Sequence, residues 1–184
     1  MSTGWTGFQP THERSHADRQ SITLPGVLLG LGLGGFFDGI VIHQILQWHH
    51  MRSGDEPLGG RSTKTVGGLE ANTLADGAFH AGTWLLTIAG LFLLWNRLRL
   101  SERRLPRSEL AWLMLLGWGI FNVVEGLVDH QLLGVHHVRD DKGGPLVWDL
   151  AFLAWGAAMA ALGYAGLARL RTDRDRAHPK TPVA

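Results

Sequence analysis

The sequence predicts an all-α fold: a four-transmembrane-helix bundle built from two tandem helix hairpins with pseudo-two-fold symmetry. Three observations predict it. Four apolar stretches each reach the about 20 residues that a helix needs to cross a hydrocarbon core. Two of them hold uncharged runs, Ala81–Leu94 and Leu110–Val124, with no charged face on which a soluble bundle helix would meet water. A string near the end of the first stretch, Asp38–Arg52, recurs near the end of the third as Glu125–Arg139.

Taken in order, residues 1–21 form a polar N-terminal tail with His12, Arg14, His16, Asp18 and Arg19. The apolar stretch that follows is too long for the core of a signal peptide and has no small-residue cleavage site, so it reads as a retained first span, Ile22 to Trp48. The second span runs from Leu74 to Trp95, the third from Leu110 to Leu133 and the fourth from Leu146 to Leu167. The transmembrane domain is then 22–168, with repeat halves at 22–100 and 108–168, and a basic tail occupies 169–184.

Lysine and arginine set the expected orientation. Arg97, Arg99, Arg103, Arg104 and Arg107 lie between spans two and three, and Arg169, Arg171, Arg174, Arg176 and Lys180 follow span four. Under the positive-inside rule both segments are cytoplasmic, which puts both termini inside a cytoplasmic membrane and the 51–71 and 138–144 loops outside. Trp48 and Trp148 fall near the outer boundary, Trp95 and Trp112 near the inner one, as interfacial tryptophans do. Gly26, Gly30 and Gly34 repeat at four-residue spacing in span one, with Gly35 and Gly39 on a second row. Such rows let helices pack closely in lipid.

The repeat has the form acidic-G-x-V-x-H-Q-x-L-x-x-H-H-x-R. A weaker echo links spans two and four, Asp76-Gly77-Ala78-Phe79 against Asp149-Leu150-Ala151-Phe152. Two hairpins in the same orientation imply a pseudo-two-fold axis along the membrane normal.

Ionisable residues at membrane depth are costly and mark function by default. Here they crowd one end of the bundle: Asp38, His43, His49 and His50 from span one, Asp76 and His80 from span two, Glu125, Asp129, His130, His136 and His137 from span three, Asp149 from span four. Asp76 and His80, four apart, share a helix face. Asp38 and His43, five apart, diverge by about 140° on an ideal helix and converge only if the helix is distorted. Gly39 and Gly126, just after the two acids, are where a π-bulge would be tolerated.

With no cysteine among the 184 residues, disulfides, zinc ribbons and thiolate sites are excluded. Imidazole with carboxylate suits zinc, iron, manganese or copper(II), and suits copper(I) less. The expected metal site is Asp38, His43, Asp76, His80, Glu125 and His130, with His49, His50, His136, His137 and Asp149 as further ligands, relays or orienting partners. That count exceeds the need of one tetrahedral ion, so a dinuclear centre fits as well as a mononuclear one. Competing readings are plain: the His-His pairs as interfacial residues, Asp149 as a charge at a helix start, Asp129 as a headgroup-facing or orienting acid, since Ile42 holds its place in the first half. His12, His16 and His178 sit in polar tails and read as incidental.

The strings GFFDGIVIHQILQWHH, NTLADGAFHAGTW and VEGLVDHQLLGVHH resemble a bacterial family of small predicted multi-pass membrane proteins of unknown function, over roughly Gly26 to Gly163. That resemblance implies topology and no activity. A looser likeness, of composition only, is to the histidine boxes of membrane desaturases and hydroxylases. The boxes here depart from those, being H-x5-H-H with added carboxylates and lying on the outward side.

The functional expectation is an integral membrane metalloprotein with a mono- or dinuclear His/carboxylate site near the outer face, acting as a metal-dependent oxidoreductase. The alternative is a non-enzymatic metal-binding, metal-delivery or transport protein. Expected partners are the lipid bilayer, metal ions, and a second copy of the chain or a larger membrane complex. The net charge of +1 gives no reason to expect nucleic acid.

Overall fold

The computed structural model describes residues 21–54, 63–99 and 107–177. His12, His16, Arg103, Arg104, His178 and Lys180 lie outside the described residues. Among the described residues the chain is helical without strands: α1 (Thr23–Phe37) continues into a π-helical segment (Asp38–Leu46), α2 is Val66–Arg99, α3 (Arg107–Glu125) continues into a second π-helical segment (Gly126–Leu132), and α4 is Leu146–Ala177. Counting the π segments, the four helices are 24, 34, 26 and 32 residues long, and all are long and apolar enough to cross a membrane. The basic tail expected from residue 169 is no separate element at first, since α4 runs unbroken to Ala177.

In space the order is α2, α1, α3, α4. α1 and α3 form the central pair, α2 packs on α1 and α4 packs on α3. No close backbone approach joins α2 to α3 or α4, or α1 to α4, among the described residues. Small residues make the pairs possible. A Cβ on Gly30 would overlap the Met114 carbonyl and the Gly117 Cα, while one on Gly117 would overlap the Val27 carbonyl. Gly26 and Gly34 extend that row against Leu113 and Trp118, so this face of α1 belongs to α3. The other glycine row, Gly35 and Gly39, lies on Thr83 and His80 of α2. Since lipid tails are as apolar as leucine, such fit and dispersion, not water exclusion, hold spans together.

The polarity of the bundle is inverted relative to a soluble domain. Trp84, Leu85, Leu91, Phe92, Trp155 and Leu162 are exposed on its flanks, while Asp38, His43, Asp76, Glu125, His130 and Asp149 are buried. One end holds an apolar cluster of Ile22, Leu29, Leu94, Leu113 and Leu167. At that same end the helices terminate in Arg97, Arg99, Arg174 and Arg176, and Arg174 is ion-paired with Glu109 at the start of α3. The opposite end holds the histidines.

Candidate metal centre

Each half of the site starts where its α-helix loosens into π turns. Hydrogen bonds from i to i+5 bring residues five apart onto one face. Asp38 and His43, which an α-helix would separate, therefore meet: Asp38 Oδ2 lies 3.0 Å from His43 Nε2. Glu125 Oε1 lies 3.0 Å from His130 Nε2 in the same way. The distortion that the spacing required is present, beginning at the residue before Gly39 and at Gly126 itself. Each π segment ends in a turn containing a left-handed residue, Gln47 (φ 51°) in the first half and Gly134 (φ 59°) in the second. These turns fold the chain back so that His49 and His136 enter the same interior, 2 % and 0 % exposed.

The four inward imidazoles have a common arrangement: Nδ1 faces a partner outside the cluster and Nε2 faces its centre. His43 Nδ1 donates to Asp76 Oδ1 at 3.0 Å. His130 Nδ1 stands 3.6 Å from Asp149 Oδ1. The other two are held crosswise between the halves, His49 Nδ1 donating to the Val138 carbonyl at 3.1 Å and His136 Nδ1 to the Met51 carbonyl at 3.3 Å. His49 and His136 stack, their ring centroids 4.5 Å apart and their planes inclined by 10°. Phe79 stacks on His43 and Phe152 leans on His130, closing the sides.

Asp76 and Asp149 sit one layer out. Asp76 accepts from His43, from His50 Nδ1 at 2.6 Å, from Gln44 at 3.2 Å and from the Met51 amide at 2.8 Å. Asp149 accepts from His137 Nδ1 at 2.6 Å, from Gln131 at 3.4 Å and from the Val138 amide at 2.9 Å. The charge at the start of α4 thus has a full set of local partners besides the helix dipole. His50 and His137 are farther out still, and the His137 side chain is 36 % exposed. The connecting segments cover this end: Ser53 donates to Asp140, the Gly54 amide to the Val135 carbonyl, and Arg139, paired with Asp141, lies 4.4 Å from the Trp48 ring and 5.2 Å from the Trp148 ring.

The centre itself is short of hydrogen-bond partners. Both Asp38 oxygens, Glu125 Oε2, and Nε2 of His43, His49 and His130 are buried without one. His43 Nε2 and Asp38 Oδ2 are close, yet they lack the alignment of a hydrogen bond. A neutral imidazole donates from one nitrogen only. His43 meets carboxylate oxygens at both nitrogens, and His136 has the Met51 carbonyl on one side and Glu125 Oε1, at 3.0 Å, on the other. Those are surroundings for an imidazolium or for a cation between nitrogen and carboxylate. His49 belongs to the connecting segment, and burial, followed by the nearby His136 and His43, holds its pKa well below the usual histidine range. With Nδ1 donating to a carbonyl, its Nε2 presents a lone pair.

Two overlapping groups have ligand atoms within 4.8 Å of one another: Asp38, His43 and His49, and His49, Glu125, His130 and His136, with His49 common to both. Groups of this composition and spacing can hold a metal ion.

Of the residues singled out by sequence, six thus converge, Asp38, His43, His49, Glu125, His130 and His136. Asp76, Asp149, His50 and His137 surround them. His80 departs from the expectation that it shares an ion with Asp76. It lies over Gly39, its Nε2 buried and without a partner, and belongs to neither group. Asp129 is half-buried beside Glu125. Sequence reasoning gave no role to Gln44 and Gln131, although both stand inside the repeated motif, nor to Asn72, whose Oδ1 accepts from the Arg52 amide at 3.0 Å. The carbonyls of Met51 and Val138 leave no trace in side-chain identity.

No curated protein and no solved structure matches the chain. A family of membrane proteins does match, over residues 25–169, which takes in most of each of the four helices and every residue of the cluster. The chain belongs to that family, described as predicted membrane protein (DUF2243).

Proposed function

We propose that this membrane protein holds a resident transition-metal centre, mono- or dinuclear, and uses it as an oxidoreductase. The ligands are Nε2 of His43, His49, His130 and His136 and the carboxylates of Asp38 and Glu125. The observation that carries the reading is the pairing of 3.0 Å nitrogen–oxygen distances with missing hydrogen-bond geometry. Two donors each about 2.1 Å from one ion and at right angles to each other lie about 3.0 Å apart, with lone pairs aimed at the ion and not at each other. A bound cation would also relieve the cost of the buried, unpartnered atoms.

The outer carboxylates support the same reading. Metal-binding imidazoles characteristically donate their second N–H to a carboxylate or carbonyl, which fixes tautomer and ring direction. Asp76, the Val138 carbonyl and the Met51 carbonyl stand in that relation to His43, His49 and His136. Iron, manganese, copper(II) or zinc suits the donors. Six ligands exceed what a closed structural zinc site uses, which favours ions that do chemistry. The matched contacts of the two halves support a pseudo-two-fold relation between the hairpins, and the arginine-rich end supports a cytoplasmic-membrane protein with both termini inside and the centre near the outer face.

A delivery function draws on one observation, the partly exposed His50 and His137 at the covered end. Chelator-free purification with elemental analysis tests the main reading. One or two transition-metal ions per chain are expected, lost together in His43→Ala and His130→Ala. Purified protein with none overturns it. Lower cellular metal on His50→Ala and His137→Ala, with the purified centre still loaded, points to delivery.

A further inference from the structure

The two halves of the site are not equivalent. Where the second half has Asp129, the first has Ile42. Asp129 lies one turn beyond Glu125, in the second π-helical segment, and α2 makes no close backbone approach to α3. A groove follows from that arrangement: a cavity of about 230 Å³, walled by Leu31 of α1, Phe79 of α2, Phe121 and Val124 of α3 and Val128 of the second π-helical segment, with Glu125 and Asp129 on its lining. Val124 is 53 % exposed on the apolar flank of the bundle, so the groove opens sideways to lipid and reaches the candidate metal centre without crossing the covered end.

Its polar lining is one-sided. Glu125 is 4 % exposed and its Oε2 has no hydrogen-bond partner. No hydrogen bond to the Asp129 carboxylate exists among the described residues. An acid in a membrane span without a protein partner is expected to serve a ligand or a pathway. Both polar residues offer acceptors, and the rest of the lining is apolar and aromatic. A ligand that satisfies such a site brings hydrogen-bond donors on an otherwise apolar body. Phe79 and Phe121 pack on each other with ring centroids 6.0 Å apart, and the aromatic wall they present favours an aromatic ring laid against it over a bare alkyl chain. The cavity is smaller than the ~300–1,000 Å³ of pockets that enclose a whole drug-sized ligand. It takes a head group, with a tail lying along the helices in lipid.

We propose that the groove between α2 and α3 binds a lipid-dissolved aromatic alcohol, of the phenol or hydroquinone class, with its hydroxyl donated to Asp129 and standing beside Glu125. This deepens the metal-centre reading and rests on it only for what the bound hydroxyl stands beside. Binding itself needs the groove alone.

The test uses the full chain in phosphatidylcholine nanodiscs free of quinones, titrated calorimetrically with decylhydroquinone against empty discs. Saturable binding of one molecule per chain is expected, with decylbenzene not binding and n-decanol binding at least tenfold more weakly. Asp129→Leu removes the acceptor while suiting a membrane helix, and weakens binding roughly tenfold or more. Val124→Trp fills the groove and abolishes binding. Equal binding of decylbenzene or n-decanol, or wild-type affinity in Asp129→Leu, overturns the proposal. Elemental analysis of the same samples keeps the two readings apart. Metal-free wild-type protein that binds decylhydroquinone sinks the metal centre and leaves the groove. Metal-loaded protein that does not bind it sinks the groove alone.

Discussion

Asp38→Asn should change the sign of its effect on stability according to whether metal is present. Asp38 is 2 % exposed, and neither of its oxygens has a hydrogen-bond partner. In stripped protein it is a buried carboxylate facing other acceptors and unaligned nitrogens. Neutralising it relieves a desolvation cost of about 1–3 kcal/mol. For a chain of this size that is a rise in Tm of roughly 2–12 °C. In loaded protein the same change removes an anionic ligand, and a hundredfold loss of metal affinity corresponds to about 2.7 kcal/mol at saturating metal. Tm then falls by roughly 5–11 °C relative to loaded wild type. The assay is thermal unfolding in detergent, with chelator and with metal, for wild type, Asp38→Asn and the control Asp76→Asn. Asp76 accepts four hydrogen bonds that need no metal, so its replacement lowers Tm in both conditions. If Asp38→Asn lowers Tm equally with and without chelator, Asp38 serves a protonated His43 and not an ion, and the reasoning from unaligned close contacts fails.

Other consequences are as direct. His49→Ala should cost more metal than any other single histidine replacement, because both ligand groups include it, and elemental analysis of the purified variants ranks them. Metal-free protein should lose stability as pH falls below about 6.5. His49 has a folded pKa depressed below the unfolded value of about 6.5, so below that pH the unfolded chain takes up a proton the folded one refuses, at up to about 1.4 kcal/mol per pH unit, and His49→Gln should flatten the dependence in chelator-treated unfolding curves. Gly117→Val should destabilise by about 1–3 kcal/mol or abolish folding, since its Cβ overlaps the Val27 carbonyl across the α1–α3 contact. Gln47→Gly should stabilise by about 0.5–1 kcal/mol, because a side chain in the left-handed region costs about 1–2 kcal/mol, partly offset by the entropy of glycine, and a Tm rise of a few degrees checks it.

Much of this architecture was legible because lipid imposes a simple rule. A span must be long and apolar, so Ala81–Leu94 and Leu110–Val124 could be recognised without knowing any contact, and polar residues inside spans then stood out. The repeat predicted matched elements, and the five-residue spacing of Asp38 and His43 posed a geometric problem that two π segments resolve. The allocation of roles was not legible. Whether Asp76 faces an ion or a histidine depends on how far α2 stands from the central pair, a matter of glycine contacts and not of residue type. His80 illustrates the same limit. Its spacing from Asp76 suits chelation, yet the close seat of Gly39 turns it into a different position. The anchors of His49 and His136 are main-chain carbonyls, to which any residue contributes equally.

Those two anchors also bear on biogenesis. Each hairpin supplies the carbonyl that aims one histidine of the other, so neither hairpin can set all of its own imidazoles in isolation, although Asp76 already holds His43 within the first. During synthesis the first hairpin must wait, its acids and imidazoles half-organised, until the later one has inserted and docked. The full cluster of six therefore comes together only when the hairpins meet, and a chain cut after the first keeps Asp38, His43 and His49 alone, the last of them without its anchor.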